Sequence, residues 1–138
     1  MPELPEVETT VKSLNILIGL KVYKVKIHTK KLRYIIPKSI IKIQKDSKII
    51  NIQRIAKYIL IHFSSNFSIV VHLGMSGRLK IQSELKKRNK HDHFIIYFNN
   101  SKILVLNDPR KFGFIDFDHT KKIFFRKYLL VLGIDALN

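Results

Sequence analysis

The run Ile55-Ala56-Lys57-Tyr58-Ile59-Leu60-Ile61-His62-Phe63 is followed by Ser64-Ser65-Asn66 and then by Ser68-Ile69-Val70-Val71-His72-Leu73. The first run is almost continuously apolar, interrupted only by Lys57 and His62. Both runs are rich in β-branched and aromatic residues, and the three residues between them are turn formers, so the pair reads as two buried strands joined by a turn. Outward from it the pattern repeats. Val22–His28, Ile40–Gln44 and Ile49–Ile52 precede the pair; Arg78–Ile81, Phe94–Phe98, Ile103–Leu106 and Phe114–Phe117 follow it. Turn chemistry lies between them at Gly74–Gly77, Asn99-Asn100-Ser101 and Asn107-Asp108-Pro109. Strands this closely spaced, with no helices between them, predict a mainly β fold of about eight strands, an antiparallel sandwich or barrel.

The ends read differently. Pro5 suits a first helical turn, and Val7, Val11, Leu14, Leu17 and Ile18 recur at spacings of three and four before Gly19. This predicts an N-terminal α-helix over 5–18. Residues 121–132 could form one short helix. Glu84–Lys90 reads as a charged loop, and the chain 1–138 as a single domain.

Composition narrows the function classes. With 138 residues and 46% hydrophobic content the chain can bury a core and is not a disordered tail. It contains no Cys, which excludes a disulfide framework, a thiol nucleophile and a Cys-based zinc site within it. No apolar stretch approaches the ~20 residues of a membrane span, and the acidic, proline-punctuated Met1–Glu6 is the opposite of a signal peptide. A soluble, cytoplasmic protein is expected. Lys and Arg number 26 against 10 Asp and Glu, for a net charge of +16. A surplus of that size points to a polyanionic partner, with nucleic acid the first candidate.

Several residues carry candidate chemistry. Removal of Met1 would make Pro2 an N-terminal secondary amine, and α-amino groups titrate near ~7.7–8.0, so a modest downward shift leaves it nucleophilic. Attack on a sugar C1′ would give an iminium, which acidifies the C2′ proton and permits β-elimination. Glu3 and Glu6 stand beside it as candidate acids. Lys57, in its apolar surroundings, reads on pattern alone as a solvent-facing strand residue. Met75 and Phe112 read as packing residues, and His72 as structural. His91 and His93 flank Asp92, but with no Cys and no third cluster nearby a metal is not expected.

The motifs then resemble a known family. Met1-Pro2-Glu3-Leu4-Pro5-Glu6-Val7-Glu8-Thr9 is similar to the amino-terminal signature of bacterial formamidopyrimidine-DNA glycosylases. Four further motifs follow in that family's order: Gln53–Tyr58, which looks like its lysine strand; His72–Gly77, its turn; Lys90–His93, its phosphate-contacting segment; and Asp108–Gly113, its wedge loop. Leu4 and the trio Met75, Arg110 and Phe112 look like this branch rather than the related endonuclease VIII group.

The resemblance implies specific roles. Pro2 would be the Schiff-base nucleophile and Glu3 the proton donor. Lys57 would contact the phosphate beside the lesion, donate a proton, and lower the amine's pKa by like-charge repulsion. Met75, Arg110 and Phe112 would enter the duplex when a damaged nucleotide flips out, with Arg110 facing the orphaned base. His91 would contact phosphate and Glu6 the lesion. Lys111 stands where a second arginine is usual, which keeps the charge and loses bidentate geometry. The implied partner is double-stranded DNA carrying oxidised purines (8-oxoguanine, formamidopyrimidines) or abasic sites, and the implied reaction is base excision with strand cleavage by β,δ-elimination.

The family's helical domain and its four-Cys zinc finger have no counterpart in these 138 residues, so no cofactor is expected in this chain. Weaker grip on DNA, exposed apolar surface and a tendency to self-associate are expected instead, as is a possible separately encoded C-terminal fragment; without one, a monomer. The readings left open are an active glycosylase and AP lyase, an inactive DNA-binding remnant or one piece of a split gene, and a basic RNA-associated domain.

Overall fold

In the computed structural model, which describes residues 3–44, 47–83 and 88–132, two four-stranded antiparallel sheets face each other. The chain runs through α1 (Leu4–Leu14), β1 (Val22–Ile27), β2 (Ile49–Ile55), β3 (Tyr58–Phe63), β4 (Phe67–His72), β5 (Arg78–Gln82), β6 (Asp92–Phe98), β7 (Ile103–Asn107), β8 (Phe114–His119), α2 (Thr120–Ile123) and α3 (Lys127–Leu130). One sheet has the order β1-β6-β7-β5 and the other β2-β3-β4-β8. The expected sandwich, with its N-terminal helix, is therefore observed. Of the expected features, Pro2, residues 84–87 of the charged loop and the terminal 133–138 lie outside the described residues.

The two inner faces meet in a core that includes Ile59, Ile61, Ile69 and Val71 from one sheet and Phe94, Ile96, Phe98 and Leu104 from the other. Alternation along each strand delivers these side chains to one face. The helix α1 joins the same core through Val7 and Leu14, followed by Leu17. On the outer face of the second sheet, Leu60 and Val70 are covered by Ile123 of α2 and Leu129 of α3. The central strands β3 and β4 are thus apolar on both faces, which explains their continuous hydrophobic runs.

Four expected elements differ from those observed. The long run 55–63 is two strands: Ile55 pairs with Tyr58 across a two-residue turn, Ala56-Lys57. Ala56 holds φ +51 without the Gly or Asn that normally announces such a turn. The expected strand Ile40–Gln44 is a 3-10 helix, Lys38–Gln44, entered from Pro37. Ile40 and Ile43 are buried while Ile41 is exposed, a period of three that matches the 3-10 turn and not the strand. The N-terminal helix ends at Leu14 and tightens into a 3-10 turn, Asn15–Leu17. Gly19, at φ +90, then directs its N–H to Ile49 O at 2.7 Å. The expected helix 121–132 is broken between α2 and α3, where Arg126 is extended and its guanidinium is held by carboxylates of β8.

Candidate functional site

Two loops at one end of the sandwich form the core of the site. The turn after β4 carries Met75, and the loop between β7 and β8 carries Arg110, Lys111 and Phe112. They touch backbone to backbone. A Cβ on Gly74, which sits at φ +62, would lie 2.4 Å from Gly113 N, and a Cβ on Gly113 would lie 2.4 Å from His72 O. Only glycine fits at either position.

The carboxylate of Asp108, 1% exposed, fastens the loops together. Its Oδ1 accepts from Ser76 Oγ at 2.7 Å and from Lys111 N at 3.1 Å; its Oδ2 accepts from Gly113 N at 3.0 Å. Ser76 Oγ in turn accepts from Arg110 N at 3.1 Å. Both carboxylate oxygens of Asp108 are therefore committed to shaping the two loops. Above this buried anchor the side chains of Met75 and Phe112 are each 48% exposed, and the Arg110 guanidinium lies 5.6 Å from the Phe112 ring centroid. A thioether, a phenyl ring and a guanidinium held out from a rigid base can enter a stack of bases.

His91 lies at the foot of the same loop, where its carbonyl accepts from Asp108 N at 3.0 Å. It is half-buried. His93, by contrast, is buried, its Nε2 bonding Asp108 O at 2.8 Å and its Nδ1 the Thr29 hydroxyl. The two rings do not converge, and among the described residues no group of three or more His, Asp or Glu could hold a metal ion.

Lys57 comes to this end of the molecule on the β2–β3 turn, not within a strand. Its charge and that of Arg33 act on His72, whose pKa is lowered first by burial and then by these two cations. His72 Nδ1 accepts from Gly74 N at 3.0 Å, so the neutral ring shapes the Met75 turn. Arg54 links the Lys57 turn to α1, with Nη1 donating to Ala56 O at 2.9 Å and Nη2 pairing with Glu8 at 2.8 Å.

The start of α1 faces the Met75 turn and the loop after β7 across an open cleft of about 720 Å³, lined among others by Glu6, Thr10, Met75, Arg78 and Pro109. Glu3 is the N-cap of α1. Its carbonyl accepts from Glu6 N and Val7 N, while its exposed side chain takes no part in capping. Pro2, one residue before it, lies outside the described residues.

The structure thus groups Glu6 with Met75, and Met75 with Arg110, Lys111 and Phe112. His91 stands at the foot of their loop and Lys57 joins from the neighbouring turn. Sequence reasoning missed Arg33, which lines a recess of about 270 Å³ with His72, Gly74, Met75 and Phe112. Its N–H donates to Gly113 O at 3.1 Å, a contact 80 positions along the chain that no local pattern signals. Asp108 was legible as turn punctuation before Pro109 and as the first residue of the Asp108–Gly113 motif, not as an anchor.

Residues 1–115 match the profile of the formamidopyrimidine-DNA glycosylase N-terminal domain. The chain is 44% identical over 122 residues to the formamidopyrimidine-DNA glycosylase of Rickettsia bellii, covering 88% of this chain and 45% of that protein. It is 43% identical over 138 residues to that of Ruthia magnifica, covering 99% and 50%. Among solved structures, the Lactococcus lactis enzyme in complex with DNA containing an abasic site has a TM-score of 0.80 at 28% identity, over 94% of this chain and 48% of that one. An inhibited form with DNA containing N7-benzyl-Fapy-dG has a TM-score of 0.82 at 28% identity, with the same coverage. The chain spans about half the length of the curated relatives it matches. It belongs to the formamidopyrimidine-DNA glycosylase family, and what it shares with that family is the N-terminal β-sandwich domain.

Proposed function

We propose that this domain acts in base-excision repair of DNA, removing oxidised purines from the duplex and cleaving the strand at the resulting abasic site. The observation that carries this reading is the insertion element: Met75, Arg110 and Phe112 stand exposed on two loops locked by Asp108, at the edge of the cleft that Glu6 enters. Excision of a base from a duplex requires unstacking, and the gap must be refilled by side chains.

In the reaction, the secondary amine of Pro2 attacks C1′ and the C1′–N glycosylic bond breaks, the base leaving with a proton. Glu3 protonates O4′ as the sugar ring opens to the iminium. Loss of the C2′ proton then expels the 3′-phosphate, and a second elimination expels the 5′-phosphate. Lys57 holds a phosphate beside the lesion, His91 and Lys111 contact backbone phosphates, and Glu6 faces the displaced base. In this reading the charge of Lys57 also serves to lower the pKa of the Pro2 amine by like-charge repulsion.

The test follows strand cleavage of a duplex containing 8-oxoguanine opposite cytosine, at low salt. Cleavage that is lost in Glu3→Gln supports the reading. Binding without cleavage, by folded protein lacking Met1, leaves an inactive DNA-binding remnant or one piece of a split enzyme.

A further inference from the structure

The insertion element is flanked by a third cavity that none of these steps uses. It measures about 410 Å³ and is lined by Arg33, Tyr34, Tyr58, Phe114, Asp116 and Tyr128, with three aliphatic neighbours. Its walls are rings in contact with one another. Tyr34 meets Phe114 edge-on at 5.6 Å, Phe114 meets Tyr128 at 5.3 Å, and Tyr58 lies 4.9 Å from Tyr128.

The polar groups limit what can enter. The Asp116 carboxylate is already engaged, accepting from Tyr128 OH at 2.6 Å and from Arg126 Nε at 2.8 Å. The cavity therefore offers no unengaged anion to a cationic ligand. Arg33 brings a positive charge, with its guanidinium 5.5 Å from the Tyr34 ring, and Lys57 immediately precedes Tyr58. Tyr34 and Ile35 are more than half exposed, 56% and 58%, on a segment tied to the insertion loop through Arg33 N and Gly113 O. Aromatic walls beside fixed positive charge match a planar heterocycle tethered to a phosphate. Pockets of this kind are mostly apolar, with a few polar groups that orient the ligand.

We propose that this cavity binds an unstacked nucleobase of a single-stranded DNA segment, with the base against Tyr34 and Tyr58 and its phosphate at Arg33. The proposal rests on the reading that the domain works on DNA and adds a base site separate from the cleft that contains Glu6.

The test compares two oligomers of eight units by fluorescence anisotropy at low salt: oligothymidylate, and the same backbone with tetrahydrofuran in place of every nucleoside. The expected result is tighter binding of oligothymidylate, on the order of tenfold, from base–aromatic stacking. Tyr34→Ala should remove that difference without changing affinity for the base-free oligomer, and Tyr34→Phe should retain it. Because Tyr34 lies outside the core, circular dichroism should be unchanged in both variants. Equal affinity for the two oligomers, or a loss in Tyr34→Ala that falls equally on both, overturns the base site; a duplex containing an abasic site that still binds then leaves the DNA reading standing. Failure to bind either oligomer and that duplex overturns both.

Discussion

Asp108 shows how much of the site depends on one side chain that would contact no substrate. With both oxygens buried and three donors directed at them, it holds the Met75 turn and the Arg110–Phe112 loop in register. Asp108→Asn keeps one acceptor but turns an amide NH2 toward an N–H donor. The expected cost is about 2 kcal/mol, the usual penalty for a buried donor left without a partner. Urea unfolding would report it, and affinity for abasic-site duplex should fall in parallel. Ser76→Ala should cost about 1 kcal/mol, since it removes one hydroxyl and leaves the carboxylate two backbone donors. Gly113→Ala should be far worse than either, because its Cβ would meet backbone at 2.4 Å; thermal unfolding should show at least the ~1–3 kcal/mol of an overpacked site. The Asp-Pro pair announces a turn to any reader of the sequence. Its function as an anchor does not show, because the partner hydroxyl lies 32 positions earlier.

At the scale of elements, the second sheet is crossed by a buried polar chain. His62 on β3 contacts Gln53 on β2 through Nε2 and Ser68 on β4 through Nδ1, and Ser68 Oγ lies 2.7 Å from Thr120 Oγ1 at the start of α2. Burial lowers the His62 pKa below its ordinary 6.5. The folded state thus takes up fewer protons than the unfolded chain, so stability is full above pH 6.5 and is lost as pH falls from there toward the folded pKa. Urea midpoints measured between pH 7.5 and 5.5 should decline, and His62→Gln should flatten the decline; the lowered pKa of His72 adds a part that remains.

Element boundaries were legible where turn formers bracket a short run, as in β5 and β7. They were hidden where backbone geometry departs from residue preference. Ala56 at positive φ splits one apparent strand into two and moves Lys57 onto a turn. Arg126 is the second case. Its ion pairs to Asp116 and Asp118, at 2.8 and 2.9 Å, break an otherwise plausible helix. Arg126→Met should loosen α2 and α3 against β8 and cost about 1–2 kcal/mol, as expected for charge-assisted hydrogen bonds at a half-exposed site.

For the whole molecule, a sandwich was readable because nine short β-type runs, eight of them strands, and their turns are written plainly in the chain. The site was readable only through five short motifs, since its members come from α1, the β2–β3 turn and two loops that meet in space alone. With a charge of +16, the proposed DNA binding should weaken as salt rises. Each phosphate contact steepens the fall of log affinity with log salt by roughly 0.9, so Lys57→Ala should reduce that slope by about one while Arg126→Met leaves it unchanged.

The central claim is that an N-terminal amine at Pro2 attacks the sugar beside this insertion element. Borohydride trapping with a duplex containing an abasic site tests it most directly, because reduction of the iminium leaves a covalent adduct that peptide mapping can locate. The expected result is an adduct on Pro2 that is absent in Pro2→Gly. An adduct on a lysine instead, or none from folded protein lacking Met1, would contradict it.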